Sequence, residues 1–269
     1  MLLAQYTWHS HASFVSDQHG NIDLEKLAPL GGSYSGVDPI GLFRSMTPDA
    51  AQPSTRKTSE ANSLDPVVTN FVAEVEGRPV ASVNLTRLWT KPAIRITDIH
   101  ENGLVGKLFE PQTKGRHPGV LVLSGSEGGI NNWNAALLAS HGYAAFALAY
   151  FGIEDLPKEL VNIPLEYLKN GVDWMRAKKS ADADRIAVIG ASKGGELSLL
   201  LASMFPEIKA VVAYASGSLI GTGIDREHSG NVSSRSYQGN PLPFAHCKAT
   251  PEFTAQFRAG APLRGCLRS

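Results

Sequence analysis

The pattern of apolar and polar positions along the chain changes near residue 91. Before that point, strand-like segments alternate with turn residues, and Gly77-Arg78-Pro79 between two of them predicts a β-hairpin. The strand-like segments are residues 7–15, 67–76 and 80–89. Short strands separated by turns favour a small β-sandwich, so residues 1–90 are predicted to form an N-terminal domain of this type.

From residue 91 onward, short apolar strands alternate with helical segments. A hairpin is predicted around Glu101-Asn102-Gly103, between strand-like residues on either side. The strands that follow cover residues 119–123, 144–150, 185–189 and 208–214, and the helices between them cover 134–141, 164–178 and 194–204. Strands that are apolar on both faces are typical of a parallel sheet with helices on both sides. Residues 91–269 are therefore predicted to form an α/β domain, with no further strand-like apolar run after residue 214.

The sharpest motif is Gly190-Ala191-Ser192-Lys193-Gly194, between a predicted strand and a predicted helix. A G-x-S-x-G sequence at such a turn is a nucleophile elbow, in which flanking glycines avoid clashes and the serine is exposed above the sheet. The helix N-terminus offers unpaired N–H groups where an oxyanion would develop. Ser192 is the candidate nucleophile, with Gly190 and Gly194 as elbow glycines; the alternative is a turn that serves packing alone.

A second glycine-rich loop, Ser124-Gly125-Ser126-Glu127-Gly128-Gly129, follows the strand at 119–123. In proteins with a nucleophile elbow, the loop after the third strand supplies the second oxyanion N–H. The main-chain N–H groups of Ser126 and Lys193 are therefore the candidate oxyanion hole. The alternative is a glycine loop that only begins the next helix.

A serine nucleophile needs a neighbouring imidazole, which a carboxylate orients. The expected chain order is serine, acid, histidine. Asp225 followed by His246 (or His228) has this order, but these residues lie in loop-like sequence with no strand to hold them. They are candidates for a substitute acid and base, because a catalytic acid and histidine normally follow later strands of the sheet.

The composition narrows the classes of function. The 25 Lys and Arg residues balance the 25 Asp and Glu residues, which argues against nucleic acid or an anionic membrane as the main partner. Cys247 and Cys266 form no CxxC motif and no metal-ligand spacing, so no metal site is indicated. The apolar runs are well short of the roughly 18 residues of a membrane span, and the N-terminus has no signal-peptide pattern. A cytoplasmic protein is the expectation.

Several segments together resemble the acyl-CoA thioesterase/bile acid-CoA:amino acid N-acyltransferase (BAAT) family. The matching segments are Gly32–Pro39, Gly41–Met46, Ala149–Pro157, Ser192–Glu196 and Tyr237–Pro243, with Arg44 where the family usually has tryptophan. The resemblance implies a β-sandwich domain followed by an α/β-hydrolase domain. It also implies cleavage of acyl-CoA thioesters through an acyl-enzyme on Ser192, without a metal or organic cofactor.

The family pattern also places an aspartate after a later strand and a histidine in a Gly-His loop further on, and neither matches a position here. Family members carry further β residues before the position of Tyr6. The resemblance therefore implies a family member shortened at both ends, with its last sheet strands missing and weak or absent turnover. A complete, compact variant is the alternative.

Three functions remain open from the sequence. The first is a serine-type acyl-CoA hydrolase in fatty acyl-CoA metabolism, and the second is a non-catalytic protein that binds acyl or CoA groups or a partner. The third is an acyl-CoA:amino acid N-acyltransferase. The amino-acid-conjugating branch of the family carries cysteine at the elbow, so Ser192 favours hydrolysis. The sequence does not indicate acyl-chain specificity or oligomeric state.

Overall fold

The computed structural model describes residues 6–53, 63–153, 155–225, 231–247 and 266–268. Contacts divide the chain into two units, Met1–Ala61 and Asn62–Ser269. The elements of the first unit are β1 (Tyr6–His9), β2 (Ala12–Ser13), β3 (Gly31–Gly32), α1 (Gly41–Arg44) and β4 (Thr47–Pro53). Strand β1 pairs with β4 and β2 pairs with β3, both antiparallel. A β-sandwich domain over residues 1–90 stays a prediction.

The second unit begins with a hairpin and continues as alternating strands and helices. Its elements are β5 (Val67–Val75), β6 (Arg78–Arg87), β7 (Ile94–Glu101), β8 (Leu104–Pro111), β9 (His117–Leu123), α2 (Asn132–Ser140), β10 (Ala144–Ala149), β11 (Ile163–Pro164), α3 (Leu165–Ala177), β12 (Ala181–Ala191), α4 (Lys193–Met204), β13 (Ile208–Tyr214), β14 (Arg235–Tyr237), β15 (Asn240–Pro241), β16 (Ala245–Cys247) and β17 (Cys266–Arg268). The hairpin predicted around residue 78 is formed by β5 and β6. Its turn is shorter than predicted, because Glu76 and Gly77 take positive φ values of 51° and 73° and Arg78 already pairs with Val75.

The main sheet has six strands in the order β7-β8-β10-β9-β12-β13. Strands β10, β9, β12 and β13 are parallel to one another, and β8 runs antiparallel to both of its neighbours. The parallel sheet predicted from the apolar runs is therefore confirmed. In the part of the chain that the structure describes, β13 and β7 are the two edges of this sheet.

Helices cover the sheet on both faces. Leu121, Phe146 and Leu148 belong to the buried cluster shared with α3 and α4, whereas Ala145 and Ala147 point to the opposite face, in the cluster of α2. Alternate side chains of one strand are thus buried on opposite faces, as a parallel sheet requires. The longest of the described helices, α3, has 13 residues. Among the described residues, no helix combines the length and apolar character needed to cross a membrane.

A second, smaller sheet joins β11, which precedes α3, to strands that follow β13. Strand β11 pairs in parallel with β14, and β14 pairs antiparallel with β15. The sequence predicted no further strand-like apolar run after residue 214, and the strands described there, β14 to β17, do not join the main sheet. They are only two or three residues long, too short to carry an apolar periodicity.

Candidate active site

Ser192 lies at the turn between β12 and α4. Its backbone has φ 51° and ψ −121°, a conformation that non-glycine residues adopt only when their surroundings impose it. The main chain is held on both sides, because Ser192 N–H donates to Tyr214 O at 3.1 Å and Glu196 N–H donates to Ser192 O at 3.0 Å. The side chain is exposed and makes no capping hydrogen bond to α4. The hydroxyl therefore faces outward from a strained, well-anchored turn.

Three glycines allow the strand, the helix and the neighbouring loop to approach backbone to backbone. A Cβ on Gly190 would collide with the main chain of Gly194, and one on Gly194 would collide with the Ser124 carbonyl oxygen. A Cβ on Gly195 would lie 2.7 Å from Ser216 Cβ. The elbow glycines named from the sequence are the first two of these, and Gly195 is a third that the motif alone did not single out.

The strand order brings the ends of three strands to one edge of the sheet. The chain runs from β9 through α2 back to β10, and from β10 through α3 to β12 on the other side of β9. Ligands typically bind at such a reversal, beyond the carboxyl ends of the strands. Ser124 follows β9, Tyr150 follows β10 and Ser192 follows β12. The serine turn after β12 and the glycine loop after β9 are parts of an α/β-hydrolase fold, which confirms the predicted fold class.

The loop after β9 is buried at its base and exposed at its tip. Ser124 and Gly125 are buried, whereas Ser126 and Glu127 are exposed. The Glu127 carboxylate folds back on the loop, and its Oε1 accepts a hydrogen bond from Gly125 N–H at 2.9 Å. Ser126 thus lies at the exposed tip of a loop whose base is fixed. Its role with Lys193 in an oxyanion hole stays a prediction.

Charged and hydroxyl groups are packed beneath the turn. Lys193 Nζ lies 3.0 Å from Glu196 Oε2, and this carboxylate is almost completely buried. Arg235, fully buried, donates from Nη2 to Lys193 O at 3.2 Å and from Nη1 to Ser234 O at 3.3 Å. Burial lowers the pKa of the Arg235 guanidinium and raises the pKa of the Tyr150 hydroxyl. The Tyr150 hydroxyl donates to Ser124 O at 2.7 Å.

Sequence reasoning missed Tyr150 and Arg235 as residues of this site. Tyr150 ends an apolar run and was assigned to the predicted strand, although a phenol at a buried strand end must find a hydrogen-bond acceptor. Arg235 is the single charge in the segment Ser233–Ser236, and nothing in that polar run indicates burial. Only the fold brings both side chains beneath the turn at Ser192.

The candidate acid and base lie in the segments after β13. Asp225 is partly buried and follows Ile224, whose main chain pairs with that of Leu160. His228 lies outside the described residues, and only the main chain of His246 is described, in β16. The pairing of Asp225 with either histidine stays a prediction.

The main chain of β16 pairs with a segment that packs against the Lys193 side chain. Ala245 N–H donates to Ile220 O at 2.7 Å, and Ala245 pairs with Gly221. A Cβ on Gly221 would lie 2.5 Å from Lys193 Nζ. The strand that holds His246 therefore borders the segment packed on the first turn of α4.

Two family models match the chain. The model described as "Acyl-CoA thioester hydrolase/BAAT N-terminal region" matches residues 3–101, and "BAAT / Acyl-CoA thioester hydrolase C terminal" matches residues 163–247. Mouse acyl-coenzyme A thioesterase 1 is 35% identical over 214 residues, covering 76% of this chain and 49% of the mouse protein. Mouse acyl-coenzyme A amino acid N-acyltransferase 1 is 36% identical over 213 residues, covering 76% and 51%. The chain thus spans about half the length of the curated relatives it matches.

Solved structures also resemble part of the chain. A putative dienelactone hydrolase from Klebsiella pneumoniae has a TM-score of 0.41 and 23% identity, covering 53% of this chain and 66% of that one. A hypothetical protein from Pseudomonas aeruginosa has a TM-score of 0.42 and 19% identity, covering 49% and 48%. Because both TM-scores are low, the fold is assigned from the strand order of the main sheet and from the turns after β9 and β12, not from these two structures.

Proposed function

The chain belongs to the acyl-CoA thioester hydrolase/BAAT family, and from this membership we propose that it cleaves acyl-CoA thioesters with Ser192 as the nucleophile. The main support is the backbone of Ser192, whose φ of 51° turns an exposed hydroxyl outward where β12 meets the N-terminus of α4. A strained serine at such a strand-to-helix turn is the arrangement that acyl-transfer enzymes use to present a nucleophile.

In the proposed reaction, the Ser192 oxygen adds to the thioester carbonyl carbon while a general base takes its proton. The carbonyl electrons move to oxygen and form a tetrahedral oxyanion. When they return, the C–S bond breaks, and the sulfur leaves with the bonding electrons and takes up the proton as free CoA thiol. Water then attacks the serine ester in the same way, which releases the carboxylic acid and restores the hydroxyl.

The main-chain N–H groups of Lys193 and Ser126 are the proposed donors to the oxyanion. Lys193 is the first residue of α4, so its N–H has no partner within the helix and lies at the positive end of the helix dipole. Ser126 lies at the exposed tip of the loop whose base contacts the first turn of α4 through Ser124 and Gly194. Donors of this kind stabilise charge that develops only in the transition state.

Transfer of the acyl group to an amino acid is the second candidate, because an N-acyltransferase is among the relatives at 36% identity. A serine at position 192 favours hydrolysis, since a serine ester reacts with water when a base is positioned and a thiolate acyl-enzyme passes its acyl group more readily to an amine. The two reactions differ in product. Hydrolysis yields a free acid, whereas transfer yields an N-acyl amino acid when an amino acid is offered.

The test is release of free thiol from a panel of acyl-CoAs by the purified chain and by Ser192→Ala. We expect slow release by the wild type, in line with the weak turnover predicted from the sequence, and no release above background in the variant, because little catalysis survives removal of the nucleophile. Ser203→Ala, a serine exposed at the far end of the same helix, is the matched control and should retain the wild-type rate. All variants keep both cysteines, so the thiol background is equal.

A second arm labels the chain with a fluorophosphonate, which phosphonylates an activated serine with loss of fluoride. Labelling that is present in the wild type and absent in Ser192→Ala identifies the nucleophile without reference to the acyl donor. Labelling of His228→Ala and His246→Ala then identifies which histidine takes the proton from Ser192. A wild type that neither releases thiol nor reacts with the probe, or a Ser192→Ala variant as active as the wild type, refutes the proposal.

A further inference from the structure

Two buried side chains outside the G-x-S-x-G motif hold main-chain carbonyls of the two loops that surround Ser192. Tyr150 Oη donates to Ser124 O at 2.7 Å, at the base of the loop after β9. Arg235 Nη2 donates to Lys193 O at 3.2 Å, in the first turn of α4. Each hydrogen bond therefore fixes a peptide group within one or two residues of a proposed oxyanion donor.

The two loops also contact each other at these carbonyls. The Cα of Gly194 lies so close to Ser124 O that no Cβ could fit between them. A Cβ on Gly125 would lie 3.2 Å from Ala191 O, which again joins the loop after β9 to the end of β12. A shift of one carbonyl is thus passed to the other loop, because no gap is left to absorb it.

Tyr150 and Arg235 also contact each other. The guanidinium carbon lies 5.2 Å from the centroid of the tyrosine ring, within the range of a cation–π interaction. Both side chains are fully buried, at 1% and 0% exposure. The pair connects β14, the end of β9 and the start of α4, three segments far apart in the sequence.

Burying an arginine side chain completely costs more free energy than burying an apolar side chain of the same size. Its charge must leave water, and Arg235 Nε has no hydrogen-bond partner in the part of the chain described. The buried Glu196 carboxylate and the Tyr150 ring offset part of that cost. Apolar side chains of similar volume often stabilise a fold at least as well. The cost of burying this charge is explained if the guanidinium is needed to hold the carbonyl that it binds.

We propose that Arg235 and Tyr150 are positioning residues, which set the spacing and direction of the Lys193 and Ser126 N–H groups by holding the carbonyls of Lys193 and Ser124; this rests on the proposed function. Neither side chain touches the substrate. Their removal is therefore expected to slow the chemical step and to leave binding unchanged.

Tyr150→Phe is the cleanest test, because it removes one hydroxyl and keeps the buried ring. We expect the maximal rate of fluorophosphonate labelling to fall by about 10- to 100-fold with an unchanged half-saturating concentration, since a displacement of about 1 Å costs up to ~100-fold. Tyr167→Phe is the matched control. Tyr167 Oη also donates to a main-chain carbonyl at 2.7 Å, that of Ala149, and accepts from Val105 N–H, so these hydrogen bonds hold neither loop. This variant should label like the wild type.

Substitutions at Arg235 give a graded series. Arg235→Lys keeps the charge but loses the forked geometry, and Arg235→Met keeps the volume alone, so labelling should fall in the order wild type, Lys, Met. If either variant fails to fold, Tyr150→Phe still decides the outcome. Equal labelling in wild type, Tyr150→Phe and Tyr167→Phe overturns the positioning role while Ser192 stands as nucleophile. A wild type that is not labelled at all overturns the proposed function and the positioning role with it.

Discussion

Replacing Gly190 with alanine perturbs the packing of β12 against α4 beneath Ser192. A Cβ at this position would lie 2.8 Å from the Gly195 nitrogen and closer still to the carbonyl group of Gly194. Non-bonded heavy atoms prefer a separation of about 3.5–4.0 Å, so the start of α4 must move by roughly 1 Å to admit the methyl group. Because the obstacle is main chain rather than a flexible side chain, the helix has to move as a unit.

We expect Gly190→Ala to slow fluorophosphonate labelling of Ser192 by roughly 100-fold, the cost of a displacement of about 1 Å in a catalytic group. Overpacking of this kind also lowers the free energy of unfolding by about 1–3 kcal/mol, measured by urea denaturation. Gly217→Ala is the control, because its Cβ would meet nothing nearer than Leu219 O at 3.8 Å. If Gly190→Ala labels and unfolds like Gly217→Ala, the close approach does not set the geometry of Ser192.

Two further predictions concern stability. Asn131 caps α2, because its Oδ1 accepts a hydrogen bond from Asn134 N–H at the start of the helix. Asn131→Ala should therefore lower the free energy of unfolding by about 1 kcal/mol, measured from the midpoint of urea denaturation. An unchanged midpoint contradicts the stabilising role of this cap. Hydrogen bonds from Lys178 Nζ at 2.9 Å and Trp174 Nε1 at 2.5 Å hold the pKa of Glu101 below the usual glutamate range. A depressed carboxyl pKa stabilises the fold above the unfolded value of about 4.3, and the effect is lost as pH falls through the folded value. The stability advantage of wild type over Glu101→Gln should therefore shrink below about pH 4.3, and an advantage that stays constant through that range refutes the assignment.

The sequence predicted the main sheet well because its strands are apolar on both faces. The run Ala144–Ala149 is completely buried, as is typical of a central strand in an α/β sheet. The turn at Asn102-Gly103 was predictable for a different reason. Both residues take positive φ values, 54° and 75°, which Asn and Gly tolerate better than other residues.

The support beneath Ser192 could not be predicted from the sequence. Arg235 is buried because Tyr150 and Lys193 come from distant loops to surround it, and only the complete fold creates that environment. The short strands β11, β14 and β15 are likewise defined by pairing between distant segments rather than by a local pattern. Propensity and periodicity predict the secondary structure that a segment forms by itself. The burial of Arg235 and the pairing of these short strands depend instead on other segments of the chain.

The central position of β9 in the main sheet affects the order in which the strands unfold. Strand β9 is hydrogen-bonded on both sides and covered on both faces, whereas β12 has only β13 between it and the edge of the described sheet. Partial openings of a protein begin where contacts are fewest and reach its centre last. In mild denaturant, β12, the strand that leads into Ser192, should therefore exchange its amide hydrogens before β9 does. Reactivity would be lost while the middle of the sheet is still protected.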